Sequence, residues 1–127
     1  MAIKFNVLEI GNPANPAAPK KFYARIIHSD EITLEDLSAD IAHSSSLTDA
    51  DVYAVLQSLV REIPRNISQG NIVRLGNLGS FRLSCSSEGS ETADEVTANN
   101  ITRRRLLFNP GKRISSQMSD LIFKKNQ

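Results

Sequence analysis

The chain has 127 residues, 40% of them hydrophobic and 23% charged, with a net charge of +1. That length suits one domain around one core, and that composition excludes a disordered or collagen-like chain. No apolar run approaches the roughly 18 residues of a membrane span, and "MAIKFNVLEIG" lacks a signal peptide's pattern, so a cytoplasmic protein without a membrane partner is expected.

"KFNVLEI" (4–10) and "KKFYARII" (20–27) are rich in β-branched and aromatic residues and read as strands. The turn-forming "GNPANPAAP" between them makes a loose hairpin. Thr33 is a helix N-cap, with Glu35 and Asp36 in the first turn where the dipole favours acids. Leu34, Leu37 and Ile41 then share one face of a helix to about His43.

Thr48 and Asp51 resemble a capping box and open the strongest helical pattern. Val52, Val55, Leu56, Leu59, Ile63 and Ile67 form an apolar stripe to Gln69, where Gly70 stops it. Pro64 lies inside and predicts a kink or a broken last turn. The period then becomes strand-like in "NIVRLGNLGSFRLSC", a hairpin about the turn "GNLG". "SSEGSETADEV" holds four acids and no base and reads as an exposed loop or hairpin tip, after which "NITRRRLLF" resumes as a strand. Asn109, Pro110 and Gly111 precede a final helix with Ile114, Met118, Leu121 and Ile122 in helical register, and "KKNQ" reads as a frayed basic end. The order of elements is that of an α+β domain.

Catalysis has little support. His28 and His43 are far apart, the acids are scattered, and no nucleophile with a base beside it is recognisable, so no catalytic residue and no small-molecule substrate is expected. The lone Cys85 reads as a buried or idle thiol, and no metal-ligand spacing or cofactor motif occurs. "GNIVRLGNLG" lacks the Gly-Lys-Ser/Thr ending of a phosphate loop. A helix-turn-helix reading of the two helices puts Asp49 and Asp51 where DNA phosphates would repel them.

Charge is divided unevenly. Residues 1–69 hold six Lys/Arg and nine Asp/Glu, a net of −3, while residues 70–127 hold nine and five, a net of +4. The pI of about 7.9 stays below the values above about 9 typical of strong nucleic-acid binders. Within "ITRRRLLFNPGKR" (101–113) five side chains are basic and none is acidic. Alternation in a strand puts Arg104 on the side of Leu106 and Phe108, with Arg103 and Arg105 on the other. Lys112 and Arg113 begin the last helix, where cations oppose its dipole; either an anion docks there or solvent screens the small penalty.

With a helix pair, a glycine-turn hairpin and an "NPGK" helix in this order, the chain resembles the bacterial histone-like HU and integration host factor family, especially its diverged HU-related branch. The likeness runs from about Ile32 to Phe123 and is carried by "GNIVRLGNLGSFRLS" and "FNPGKRISSQM". It implies a helical base with a β-hairpin saddle and arm, an intertwined homodimer, and a non-catalytic, nucleoid-associated protein binding double-stranded DNA with little sequence preference. Such proteins kink the duplex from the minor groove with apolar wedges. By resemblance Arg82 lies on the saddle, Arg103, Arg104 and Arg105 on the returning strand of the arm, and Lys112 and Arg113 at the phosphate-contacting start of the last helix. Residues 31–127 would be this HU-like domain and residues 1–30 a strand extension packed on it, extending its sheet or covering an edge. "CSSEGSETADEVTANN" lacks the family's wedge proline and arm arginines, so sharp bending is not expected. An HU-like protein-interaction scaffold that has lost DNA binding is the alternative.

Overall fold

The structure, a computed structural model, describes residues 2–126. Its elements are β1 (Ile3–Ile10), β2 (Lys21–Ile26), α1 (Leu34–His43), α2 (Asp49–Ser68), β3 (Val73–Arg74), β4 (Gly79–Ser87), β5 (Ile101–Pro110), α3 (Lys112–Met118) and β6 (Phe123–Lys125). They make an α+β chain of two units, Thr33–Ser116 and, separately, Met1–Ile32 with Gln117–Gln127.

Local chemistry explains the helices of the larger unit. At Thr33 the hydroxyl accepts from the Asp36 N–H while the Thr33 N–H donates to the Asp36 carboxylate, a reciprocal capping box. At Thr48 the hydroxyl accepts from the Asp51 N–H at 3.2 Å, which is half of the expected box. Helix α2 ends in a Schellman arrangement: Gly70 has φ 84°, its N–H donates to the Ile67 carbonyl, and the Asn71 N–H donates to that of Asn66. The predicted break at Pro64 does not occur, and the helix continues to Ser68. Val60, whose carbonyl loses its usual donor, is 57% exposed, so water can take the missing bond.

Helices α1 and α2 pack on each other, and α2 packs on β3 and β4. Val52 and Ile67 of the predicted stripe are buried, together with Ala42 and Ser38 of α1. Leu56, Leu59 and Ile63 are half-buried, and Val55 stays open to solvent. Strands β3, β4 and β5 form an antiparallel sheet in that order.

The other unit corrects the expected C-terminus and the place of the first strands. Strands β1 and β2 pair antiparallel as expected, but they form their own sheet of order β2-β1-β6 instead of extending the hairpin. Helix α3 ends at Met118, leaving Leu121 and Ile122 outside it. Phe123 and, from the expected frayed end, Lys124 and Lys125 run parallel to β1, with the Ile3 N–H donating to the Ile122 carbonyl and the Asn126 N–H to that of Phe5. Pairing with the free edge of β1 satisfies these backbone groups better than a longer helix exposed at its end. Gln127 lies outside the described residues.

Candidate nucleic-acid interface

The glycine turn brings the basic elements together. The Leu75 N–H donates to the Gly79 carbonyl across the turn, and Gly76 and Gly79 have φ of 56° and 140°, which other residues rarely adopt. The Gly111 N–H donates to the Leu78 carbonyl at 3.1 Å, so the turn lies against the start of α3. A side chain at Gly111 would overlap the Asn77 carbonyl, and one at Gly79 would overlap the Asn109 carbonyl and the Phe108 ring.

The register of the sheet then fixes what each face carries. Arg74 stands opposite Ser80, Arg82 opposite Leu107, Ser84 opposite Arg105 and Ser86 opposite Arg103. Directly paired residues share a face and alternate residues along a strand do too. Arg74, Arg82, Arg103 and Arg105 therefore share one face with serines, Asn109 and Leu107. The opposite face carries Val73, Phe81, Leu83, Leu106 and Phe108, with the Phe81 and Phe108 rings 4.9 Å apart. Helix α2 lies on this apolar side, where Ile63, Pro64 and Ile67 meet Leu83 and Leu106 around an apolar cavity of about 300 Å³.

Arg104 belongs to the apolar side, opposite Cys85, where both are exposed. The thiol is thus not buried, because past Phe81 the ribbon has only two strands and outruns β3. The ribbon is irregular between Ser86 and Ser87, where Arg103 and Ile101 are the partners and Thr102 is the extra residue. The Arg105 guanidinium donates to the Ser86 hydroxyl at 2.6 Å on the basic face.

Electrostatically this face has no internal neutralisation. Among the described residues the one ion pair is Arg65–Glu62, on α2. Arg74, Arg82, Arg103, Arg104, Arg105, Lys112 and Arg113 are all exposed. Charges two residues apart on a strand are roughly 7 Å apart and in water repel by about 0.6 kcal/mol, so the face holds a positive potential that an anion relieves. Beside Arg74 the surface is concave, with a hollow of about 270 Å³ lined by Gly76, Gly79, Ser80, Asn109 and Gly111. Sequence reasoning missed Arg74, because its membership depends on the two-residue pairing of β3 with β4. Lys112 and Arg113 sit where expected, at the start of α3, a helix of seven residues.

The acids Glu88, Glu91, Asp94 and Glu95 lie in the connection at the far end of the ribbon, which contains two single 3-10 turns. The Asn100 amide fastens it by donating to the Glu88 carbonyl and the Ser90 hydroxyl, both at 3.0 Å. Among the described residues no group of acids, histidines and cysteines is arranged to hold a metal ion, and no helix is long and apolar enough to cross a membrane.

Comparison with known proteins agrees with this fold. A bacterial protein from Bacteroides vulgatus ATCC 8482, described as a candidate DNA-binding protein, superposes with a TM-score of 0.62 at 10% identity, over 97% of this chain and 48% of its own. The present chain thus spans about half the length of that relative. HU from Anabaena, in a cocrystal with DNA, superposes with a TM-score of 0.54 at 22% identity, over 69% of this chain and 98% of its own. No curated protein matches the chain. A family profile described as "HU domain fused to wHTH, Ig, or Glycine-rich motif" matches residues 1–125, and the chain belongs to that family of HU domains.

Proposed function

We propose that this protein binds double-stranded DNA as a non-catalytic, architectural component of the bacterial nucleoid, contacting phosphates with little sequence preference. The observation that carries this reading is the single sheet face bearing Arg74, Arg82, Arg103 and Arg105 with no acid among its paired positions. Arg104, Lys112 and Arg113 add exposed charge at the ribbon and at the start of α3. Arginine neutralises phosphates and releases their counterions without reading base edges, so shape and deformability would set any preference. The HU domain family and the Anabaena HU–DNA complex support the same reading.

In this reading the HU-like domain is the unit Thr33–Ser116, and the strands β1, β2 and β6 form an extension with a sheet of its own. The sheet of β3, β4 and β5 serves as the saddle and the two-stranded end of β4 and β5 as the arm. The arm lacks proline between Cys85 and Asn100, so it grips without wedging between bases.

The functional unit is a homodimer. Among the described residues the buried apolar side chains are Ala42, Val52 and Ile67, while Val55, Val60, Leu83, Leu106 and Phe108 are 44–63% exposed. A second copy covering the apolar cavity between α2 and the sheet supplies the missing core.

The test is binding to duplex DNA across a salt series, for the natural chain and for Arg103, Arg104 and Arg105 changed to Ala. Affinity should fall with salt at a log–log slope of about −0.9 per neutralised phosphate, more shallowly for the triple variant. The acidic connection of Glu88, Glu91, Asp94 and Glu95 favours a second reading, an HU-like scaffold for protein contacts. Absence of binding at low salt would leave that reading alone.

A further inference from the structure

The sheet of β1, β2 and β6 has two unlike faces. Its register pairs Phe5 with Ile26, Val7 with Ala24, Glu9 with Phe22, and Ile3 with Phe123. That face is apolar apart from Glu9 and Lys125, the latter standing opposite Phe5. The opposite face holds Lys4, Lys21, Arg25 and Lys124 beside Asn6, Leu8, Ile10 and Tyr23, and none of these positions is acidic. Glu9, the acid of these three strands, lies on the apolar face.

The cations of this second face are placed against their own repulsion. Lys4 and Lys124 are direct partners across the parallel pair, and Arg25 stands opposite Asn6, two residues from Lys4 on the same face. Like charges opposite one another destabilise a sheet, and a polyanion removes that penalty. All four side chains are exposed. At the hairpin end the face deepens into a cavity of about 500 Å³, where Lys21, Tyr23 and Ile10 meet Asn12, Pro13 and Pro19 of the connecting loop. Tyr23 is 49% exposed there, an aromatic ring and a cation side by side in a concave surface.

We propose that this face is a second contact surface for the phosphate backbone of duplex DNA, formed by Lys4, Lys21, Arg25 and Lys124, with Tyr23 lying against the sugar–phosphate strand. The inference rests on the DNA-binding reading above but uses a different sheet in a different unit. Its contribution to binding is its own release of counterions, added to that of the arginine face.

The experiment uses the full chain and a short duplex of mixed sequence, with affinity measured by fluorescence anisotropy across a salt series. Changing Lys4, Lys21, Arg25 and Lys124 to Gln should make the log–log slope shallower by as much as ~0.9 for each side chain that neutralises a phosphate. The charge-preserving set Lys4→Arg, Lys21→Arg, Arg25→Lys and Lys124→Arg should keep the natural slope. In the natural chain, duplex DNA should protect Lys4, Lys21 and Lys124 from acylation, a readout that needs no variant to fold. A natural slope in the Gln variant, or unprotected lysines in the complex, overturns the second surface and leaves the arginine face standing. A natural chain that binds no duplex at low salt overturns the DNA reading itself.

Discussion

Arg105 reaches diagonally across the ribbon, its Nη2 donating to the Ser86 hydroxyl at 2.6 Å, while Ser86 itself stands opposite Arg103. One serine thus fixes the Arg105 guanidinium while standing opposite Arg103 on the same face. Both side chains are at the surface, so Ser86→Ala should change unfolding free energy by less than about 0.5 kcal/mol. Its effect should be on DNA affinity, lowered a few fold with an unchanged salt slope, whereas Arg105→Ala should make the slope shallower by ~0.9. Chemical denaturation and anisotropy titrations on the two variants separate these outcomes.

Arg74 is the further test of the basic face. It joins that face only through its pairing with Ser80, and it borders the hollow beside Asn109. Arg74→Ala should weaken duplex binding and reduce the salt slope by ~0.9, as should Arg82→Ala. Arg65→Ala is the control: Arg65 lies on α2 and pairs with Glu62 at 3.5 Å, so its removal should leave the slope unchanged. Equal slopes for Arg74→Ala and the natural chain would remove that residue from the interface.

The difference between Arg82 and Arg74 shows what was legible in the sequence. Thr33, Thr48 and Gly70 announced the helix ends because a cap is a local interaction within a few residues. The turn glycines and the alternation of Phe81 and Leu83 announced the hairpin for the same reason. Strand β6 was not legible: Leu121 and Ile122 continue the helical spacing of Ile114 and Met118, and the partner that claims the next residues is β1, at the other end of the chain. The second cationic face was hidden likewise, since Lys4 and Lys124 become neighbours only through that pairing.

Gly111 and Gly79 hold the glycine turn against the beginning of α3. The Gly111 N–H donates to the Leu78 carbonyl, and a methyl group at Gly111 would strike the Asn77 carbonyl, which is backbone and cannot swing aside. At Gly79 a methyl group meets backbone and an aromatic ring at a φ of 140°. Each Ala substitution should therefore cost more than about 1 kcal/mol and lower the thermal midpoint. Gly89→Ala should not, because nothing lies within 4 Å of its added carbon.

Asp36 carries the acid sensitivity of α1. The Thr33 backbone N–H, first, and the Thr33 hydroxyl hold its carboxyl below the ordinary aspartate value of 3.8. A carboxyl with a depressed pKa in the folded state contributes stability that is present above its unfolded value and is lost as pH falls through the folded one. The advantage of the natural chain over Asp36→Asn should therefore be constant near neutrality and shrink below about pH 3.8. An NMR titration of the Asp36 carboxyl carbon should give a midpoint under 3.8. Thr33→Ala should raise that midpoint and cost about 1 kcal/mol.

The apolar side of the ribbon predicts the assembly state. Leu83 and Leu106 are direct partners, 52% and 58% exposed, and they border the cavity under Ile63, Pro64 and Ile67. Covering this leucine pair and the open apolar cavity beside it is favourable, since full burial of each leucine is worth roughly 1.5–3 kcal/mol. Light scattering of the natural chain at micromolar concentration should therefore give twice the 14.0 kDa protomer mass. Leu106→Glu would bury a charge in that contact and should shift the mass toward the protomer, with loss of DNA affinity because each copy then offers half the basic surface. Leu106→Met, which keeps volume and polarity, should remain a dimer. A protomer mass for the natural chain at that concentration would overturn the homodimer.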